Sequence, residues 1–315
     1  MNVVVIHTGA IGDLVQAFPA LRAVRETWAE AHVTLVGRPE RAALALAARL
    51  ADACVDIETS GLWPLLADGG EARHEAAALF RDADLVLDFF SKGRLTERLA
   101  ETGRARVVSV DPLPPRQWRD TAASFFLGRV REELDLADAP SEPQMSVAET
   151  ALGKAREALA GAGVRGRFAA IHPGSGSERK NWPVDRFARL ARRLAAEGGL
   201  AVAWLLGPAE AERGLRPPGG PGQVVLCRRP LGEVAAVLAL AHLYVGNDSG
   251  ITQVAAAVRG DGGRPTPVAA LFGPTDPAVW APRGRHVRLV RASGGQMGAL
   301  AADDVWSAVT EALAG

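Results

Sequence analysis

Short runs rich in Val, Ile and Leu recur at residues 2–6, 33–36, 54–57, 84–88 and 106–110. The segments between them carry Ala, Arg and Glu at helical spacing, as at 40–51 and 72–82. Strand-sized apolar runs that alternate with helix-sized amphipathic ones read as consecutive strand–helix units, which assemble into a parallel sheet covered by helices. The alternation breaks at 134–147, LDLADAPSEPQMSV, where two prolines and little periodicity mark a linker. A helix over 148–161 follows and ends at Gly161 and Gly163. The pattern then restarts, with strands predicted at 168–172, 201–206, 223–227, 243–246, 267–272 and 287–290 and helices near 184–197, 232–241, 250–258 and 303–314. The fold class is α/β: two Rossmann-like domains in tandem, 1–147 and 148–315, with 214–222 and 259–266 as surface loops.

Composition agrees with that division. A chain of 315 residues accommodates two domains, and 48% hydrophobic with 23% charged residues excludes the disordered class. Apolar runs are interrupted well before the roughly 18 residues of a membrane span, and MNVVVIHTG lacks a charged n-region, which argues against insertion and export. Cys54 and Cys227 fall in apolar strands of different halves, so buried thiols in a reducing cytoplasm are expected, not a disulfide or a metal pair. The net charge of zero conceals an asymmetry: residues 1–150 hold 16 Lys and Arg against 23 Asp and Glu, net −7, and residues 151–315 hold 20 against 13, net +7. The second half is therefore the better home for an anion. No arginine cluster interleaved with aromatics suggests nucleic acid as a partner.

The chemistry concentrates where strands end. VGNDSGITQVAAAV, 245–258, takes an apolar strand through Asn247, Asp248, Ser249 and Gly250 into a small-residue helix, whose exposed N–H groups and positive dipole end suit a phosphate. The loop 173–183 supplies small residues, hydroxyls and Lys180, a phosphate-binding composition without P-loop spacing, and Trp182 and Pro183 start and pack down the next helix. Glu210 follows a strand end, where it could accept hydrogen bonds from a ribose diol or serve as a first-turn helix charge beside Glu212. In the first half, His7–Asp13 opens a helix from the first strand. Asp13 reads equally as a helix cap and as a general base, and Pro19 predicts a kink or restart of that helix. LFGPTDP at 271–277 is a rigid strand exit built by turn chemistry.

GDLVQAFPALRAVR at 12–25, HPGSGSERKNWP at 172–183, GNDSG at 246–250 and LFGPTDP at 271–277, in that order and spacing, resemble glycosyltransferase family 9, the bacterial ADP-heptose:lipopolysaccharide heptosyltransferases. The resemblance covers nearly the whole chain. It implies a GT-B architecture, two facing Rossmann-like domains with parallel sheets: the first binds the acceptor, the second the nucleotide-sugar, and the C-terminal helix 303–314 packs back towards the first. By position it implies Asp13 as the base and Lys180 as the diphosphate-binding lysine. Ser175 matches one of the small hydroxyl residues before that lysine and Gly176 replaces a second, Glu210 is the ribose-binding acid, and Asp248, Ser249 and Gly250 form the diphosphate turn. Members commonly carry histidine three residues after that turn's glycine. Here the position is Gln253, which can hydrogen-bond a donor but carries neither proton nor charge at neutral pH.

The activity so implied is inverting transfer of a sugar, heptose from ADP-heptose, to a lipopolysaccharide-core or related cell-envelope glycan, with no metal or other cofactor. Partners would be the donor, a glycolipid or glycan acceptor and, through that acceptor, the inner face of the cytoplasmic membrane. Alternative readings are a nucleotide-sugar epimerase or hydrolase of the same architecture, and a non-catalytic nucleotide-sugar binder. For an anionic acceptor the stretch 92–119 stands out, with Lys92, Arg94, Arg98, Arg104, Arg106, Arg116 and Arg119 against Glu97, Glu101 and Asp111; Lys92, Arg94, Arg98, Arg116 and Arg119 are the candidates.

Overall fold

A computed structural model describes residues 1–62, 79–100, 105–217 and 219–314, with the side chains of Arg98 and Ala100 excepted. Residues 72–78 of the expected helix 72–82, and Arg104, lie outside the described residues. The chain divides into two units, Met1–Pro143 and Gln144–Gly315. The boundary comes four residues before the expected one because Met145–Ser146 (β6) pairs in parallel with Val258–Arg259 (β11) and so belongs to the second unit. That pairing also orders the start of the expected surface loop 259–266.

In the first unit, Asn2–Ile6 (β1), His32–Gly37 (β2), Ala53–Asp56 (β3), Leu85–Asp88 (β4) and Arg106–Ser109 (β5) form a parallel sheet in the order β3-β2-β1-β4-β5. The central strands are apolar on both faces because helices cover both faces: Val3 to Ile6 and all of β4 are buried. One core cluster joins Val4, Ile6, Val36 and Val86 to Leu95 and Leu99 of the helix Arg94–Ala100. Helix Ile11–Thr27 passes through Pro19 without a break, so the expected restart does not occur. Pro19 lacks the N–H that would bond the Val15 carbonyl, and burial of ten residues of this helix, Pro19 among them, outweighs that loss.

In the second unit, Phe168–His172 (β7), Ala201–Leu206 (β8), Gln223–Cys227 (β9), Leu243–Asn247 (β10), Val268–Phe272 (β12) and Val287–Arg291 (β13) form a parallel sheet in the order β13-β12-β10-β7-β8-β9. Central strands β7, β10 and β12 are buried throughout, while the edge strands β9 and β13 each bury one residue and leave the others half-buried or exposed. Cys227, expected as a buried thiol, is exposed because it ends an edge strand, and Cys54 is half-buried; both are free. Trp182, Phe187, Trp204, Leu243, Val305 and Val309 belong to one core. The last helix, Ala302–Ala314, places its buried residues Val305, Ala308, Val309 and Ala312 in that core. Its apolar face is thus spent on the core of its own unit.

Strand order fixes where ligands can bind. In each of these sheets the connections reverse direction beside the sheet's first strand, at β1/β4 and at β7/β10, and the crevice outside the carboxyl ends of such a strand pair is where open α/β sheets bind ligands.

Candidate functional site

At the β7/β10 switch point the second unit brings together the residues named from sequence. Lys180 leaves the short turn Glu178–Lys180 and places Nζ 2.7 Å from Asp248 Oδ2, at the end of β10. Ser249 caps the helix Gly250–Ala257, its Oγ accepting from Thr252 N at 3.3 Å. A cation therefore stands at the positive end of an eight-residue helix, held there by a carboxylate that is only 8% exposed. An arriving diphosphate would meet the ammonium and the first-turn amides together.

Asn247, read from sequence only as part of the turn, organises the loop. It is fully buried; its Oδ1 accepts from Trp182 N at 2.9 Å and its Nδ2 donates to Pro173 O at 2.8 Å, so one amide clamps both ends of the segment that carries Lys180. Trp182 is buried as expected, and its indole N–H donates to Leu300 O at 3.0 Å. Replacing Asn247 by Ala orphans one buried donor and one buried acceptor, at about 1–3 kcal/mol each. Asn247→Ala is thus expected to lower the stability of the second unit by about 2–6 kcal/mol in urea unfolding, and a loss below about 1 kcal/mol would contradict the clamp.

Two sequence candidates, Ser175 and Glu210, have partners inside the second unit. Ser175 is buried, with Oγ 2.7 Å from both Ser177 O and Asn181 Oδ1, so it shapes the loop, while Gly176 is exposed beside open space. Glu210 is 4% exposed; its Oε2 accepts from Gly207 N at 2.8 Å and lies 3.7 Å from His172 Nε2. A Cβ on Gly174 would fall 1.8 Å from Glu210 Oε1, so glycine there leaves the space the carboxylate fills. Burial pushes the Glu210 carboxyl upward, but His172 and the Gly207 amide outweigh it and hold it below its ordinary value. The helix-start contact, one of the two sequence readings of Glu210, is present. His172 Nδ1 in turn lies 3.3 Å from Ser249 Oγ, linking the β7, β8 and β10 ends.

Gln253, expected to project towards a donor, is buried, and its Nε2 donates to Trp280 O at 2.6 Å. That bond ties the Gly250–Ala257 helix to the Pro277–Trp280 turn. Asp276 caps that short turn through Ala278 N, as its turn chemistry predicts.

In the first unit Asp13 sits at the third position of helix Ile11–Thr27, half-buried, and its Oδ2 accepts from Ala10 N at 2.9 Å. The carboxylate thus performs a capping bond while standing at the carboxyl end of β1. His7 is buried beneath the same turn; a Cβ on Gly9 would lie 2.9 Å from its Cε1 and 3.1 Å from Asp13 Oδ2. Burial pushes the imidazole down to about 4, so it is neutral at physiological pH.

The β4 end lies beside the β1 end, and β5 beside β4. Asp88, fully buried, accepts from Phe90 N at 2.9 Å and Ser91 N at 2.8 Å and is hydrogen-bonded by the Ser91 hydroxyl, fixing the turn that presents exposed Lys92 and Arg94. Lys92 has φ +54°, an unfavourable left-handed conformation held by that turn. Arg116 and Arg119 follow β5 and are exposed, Arg119 donating to the Arg116 and Trp118 carbonyls at 2.9 Å. Lys92 and Arg94 thus follow the carboxyl end of β4, the strand beside β1, whose carboxyl end carries Asp13. Arg106 is instead engaged with Glu133, and the Arg98 side chain lies outside the described residues.

The sequence profile of glycosyltransferase family 9 (heptosyltransferase) matches residues 118–305. Among curated relatives, lipopolysaccharide heptosyltransferase 3 of Escherichia coli K12 is 32% identical over 161 residues, 49% of this chain and 44% of that one. The chain therefore spans less than half of that relative. Lipopolysaccharide heptosyltransferase 1 of Pseudomonas aeruginosa PAO1 is 28% identical over 305 residues, 90% of this chain and 82% of that one. The solved structure of the Escherichia coli ADP-heptose lps heptosyltransferase II superposes with a TM-score of 0.75 at 19% identity, covering 100% of this chain and 99% of that one. With the Lys180–Asp248 helix terminus at one switch point and Asp13 at the other, the chain belongs to glycosyltransferase family 9, the heptosyltransferase family, and has the GT-B fold.

Proposed function

We propose that the protein transfers heptose from ADP-heptose to a hydroxyl of a lipopolysaccharide-core acceptor, with inversion at the anomeric carbon. The observation that carries the donor side is the ion pair of Lys180 with Asp248 at the N-terminus of helix Gly250–Ala257, in a chain of the heptosyltransferase family. Asp13 takes the proton of the acceptor hydroxyl as its oxygen attacks the anomeric carbon; the bond to the ADP β-phosphate oxygen breaks, and the electron pair leaves with the diphosphate. Lys180 and the first-turn amides take up the charge that develops there, a role that a metal ion can otherwise fill. Lys92, Arg94, Arg116 and Arg119 supply positive charge for an anionic acceptor in the unit that carries Asp13. Among the described residues no helix is long and apolar enough to cross a membrane. We assign the protein to the cytoplasm, meeting the membrane's inner face through its acceptor.

The test is a transfer assay with ADP-heptose and a heptose-deficient core acceptor, paired with thermal melts in ADP-, GDP-, UDP- and dTDP-sugars. ADP-heptose is expected to raise the melting temperature most, as a ligand binding only the folded state does, and to yield glycosylated acceptor. Stabilisation by another nucleotide alone, or release of free sugar at the same rate without acceptor, would overturn the reading.

A further inference from the structure

Arg41 carries no distinguishing signal in the sequence, where it is one arginine among several on an amphipathic helix. In the structure it reaches from helix Pro39–Ala47, behind β2, to the turn that follows β1. Its Nη1 donates to Thr8 O at 3.0 Å and to Gly9 O at 2.5 Å. Those two carbonyls immediately precede Ala10, whose N–H binds Asp13 Oδ2. One guanidinium therefore ties down the two peptides leading into the amide that orients the Asp13 carboxylate. A guanidinium fits this position because its planar fork is pre-organised and it stays charged when partly desolvated.

We propose that Arg41 is a positioning residue for transfer, holding the Thr8–Ala10 turn so that the Asp13 carboxylate is aimed. The proposal rests on the reading of Asp13 as the base. Among the described residues, the charged and titratable groups that act on Arg41 or lie beneath the turn include His7 from β1 and Arg38 and Glu40 from the helix that carries Arg41. Burial partly desolvates Arg41, and Arg38 opposes its charge while Glu40 and Asp13 favour it. His7 is neutral down to about pH 4, Arg38 pairs with Glu58 at 3.3 Å, and the Asp88 carboxylate beneath the β4 end is occupied by its own turn. Asp13 is one of the charges that favour the Arg41 cation, and by reciprocity the cation favours the Asp13 carboxylate. Because only the ionised carboxylate can accept the acceptor's proton, loss of the cation moves the acid limb of the activity profile to higher pH.

The experiment compares wild type with Arg41→Lys, Arg41→Met and Asp13→Asn, measuring kcat and donor KM across about pH 5 to 9, with a thermal melt of each. Arg41→Met is expected to lower kcat by about 10-fold or more at neutral pH, with a larger deficit at the acid end and a donor KM within about 2-fold of wild type. Arg41→Lys, which keeps the charge and loses the fork, is expected to retain the wild-type acid limb with a smaller fall in kcat. An Arg41→Met enzyme that melts like wild type and keeps its kcat and acid limb while Asp13→Asn is inactive overturns the role of Arg41 and leaves the base in place. An active Asp13→Asn overturns the base itself. If Arg41→Met fails to fold, the decision falls to Arg41→Lys, where a displaced acid limb counts against the proposal.

Discussion

Asp13→Asn is expected to reduce transfer by about 100-fold to 10,000-fold, the range of a positioned general base, while leaving ADP affinity within about 2-fold of wild type. The substitution is nearly isosteric, and an asparagine carbonyl oxygen can still accept the Ala10 N–H that Asp13 Oδ2 accepts at 2.9 Å. The start of helix Ile11–Thr27 therefore survives, and only proton acceptance is lost. ADP affinity is spared because Lys180 and the Gly250–Ala257 terminus belong to the other unit. Asp13→Ala separates the two functions of the side chain further, since losing the cap as well should cost about 0.5–2 kcal/mol of stability. Steady-state kinetics with saturating donor, together with ADP calorimetry, measures both quantities. Near wild-type turnover of Asp13→Asn would reduce Asp13 to its capping bond.

Sequence is informative where burial is periodic and poor where single side chains bridge distant segments. Strands β7, β8 and β9 begin and end at the predicted residues because central parallel strands are continuous apolar runs and Gly, Pro or charge ends them sharply. The short β6–β11 pair carries no such run and leaves no signal. Within the site, Lys180, Asp248 and Ser249 are visible because they cluster around one strand end. Asn247 clamps residues 65 and 74 positions away, and Arg41 reaches carbonyls 32 and 33 positions away. Neither leaves a local signature. The bond of the Gln253 amide to the Trp280 carbonyl, 27 positions away, is likewise invisible in helical spacing, which places Gln253 one turn from the diphosphate turn.

Lys180→Ala is expected to weaken ADP binding more than the loss of one phosphate contact would, and the reason lies in its partner. A charge-assisted hydrogen bond contributes about 1.5–3 kcal/mol, or roughly 10-fold to 150-fold in affinity. Removing the ammonium also leaves the Asp248 carboxylate, 2.7 Å away in the intact pair and 8% exposed, uncompensated at the terminus where the diphosphate must arrive. The single mutant thus loses an attraction and gains a repulsion. Turnover should fall with affinity, because the same cation faces the ground state and the departing diphosphate. Asp248→Asn removes the repulsion, so the double mutant Lys180→Ala/Asp248→Asn is expected to bind ADP about 5-fold to 10-fold more tightly than Lys180→Ala, though less tightly than wild type. Adding the two single effects would miss that recovery, as coupling between contacting residues requires. Calorimetric Kd values for the four proteins complete the cycle. A double mutant that binds no better than Lys180→Ala would mean that Asp248 does not face the bound phosphates, and unchanged affinity in Lys180→Ala would remove the loop 173–183 from the donor site altogether.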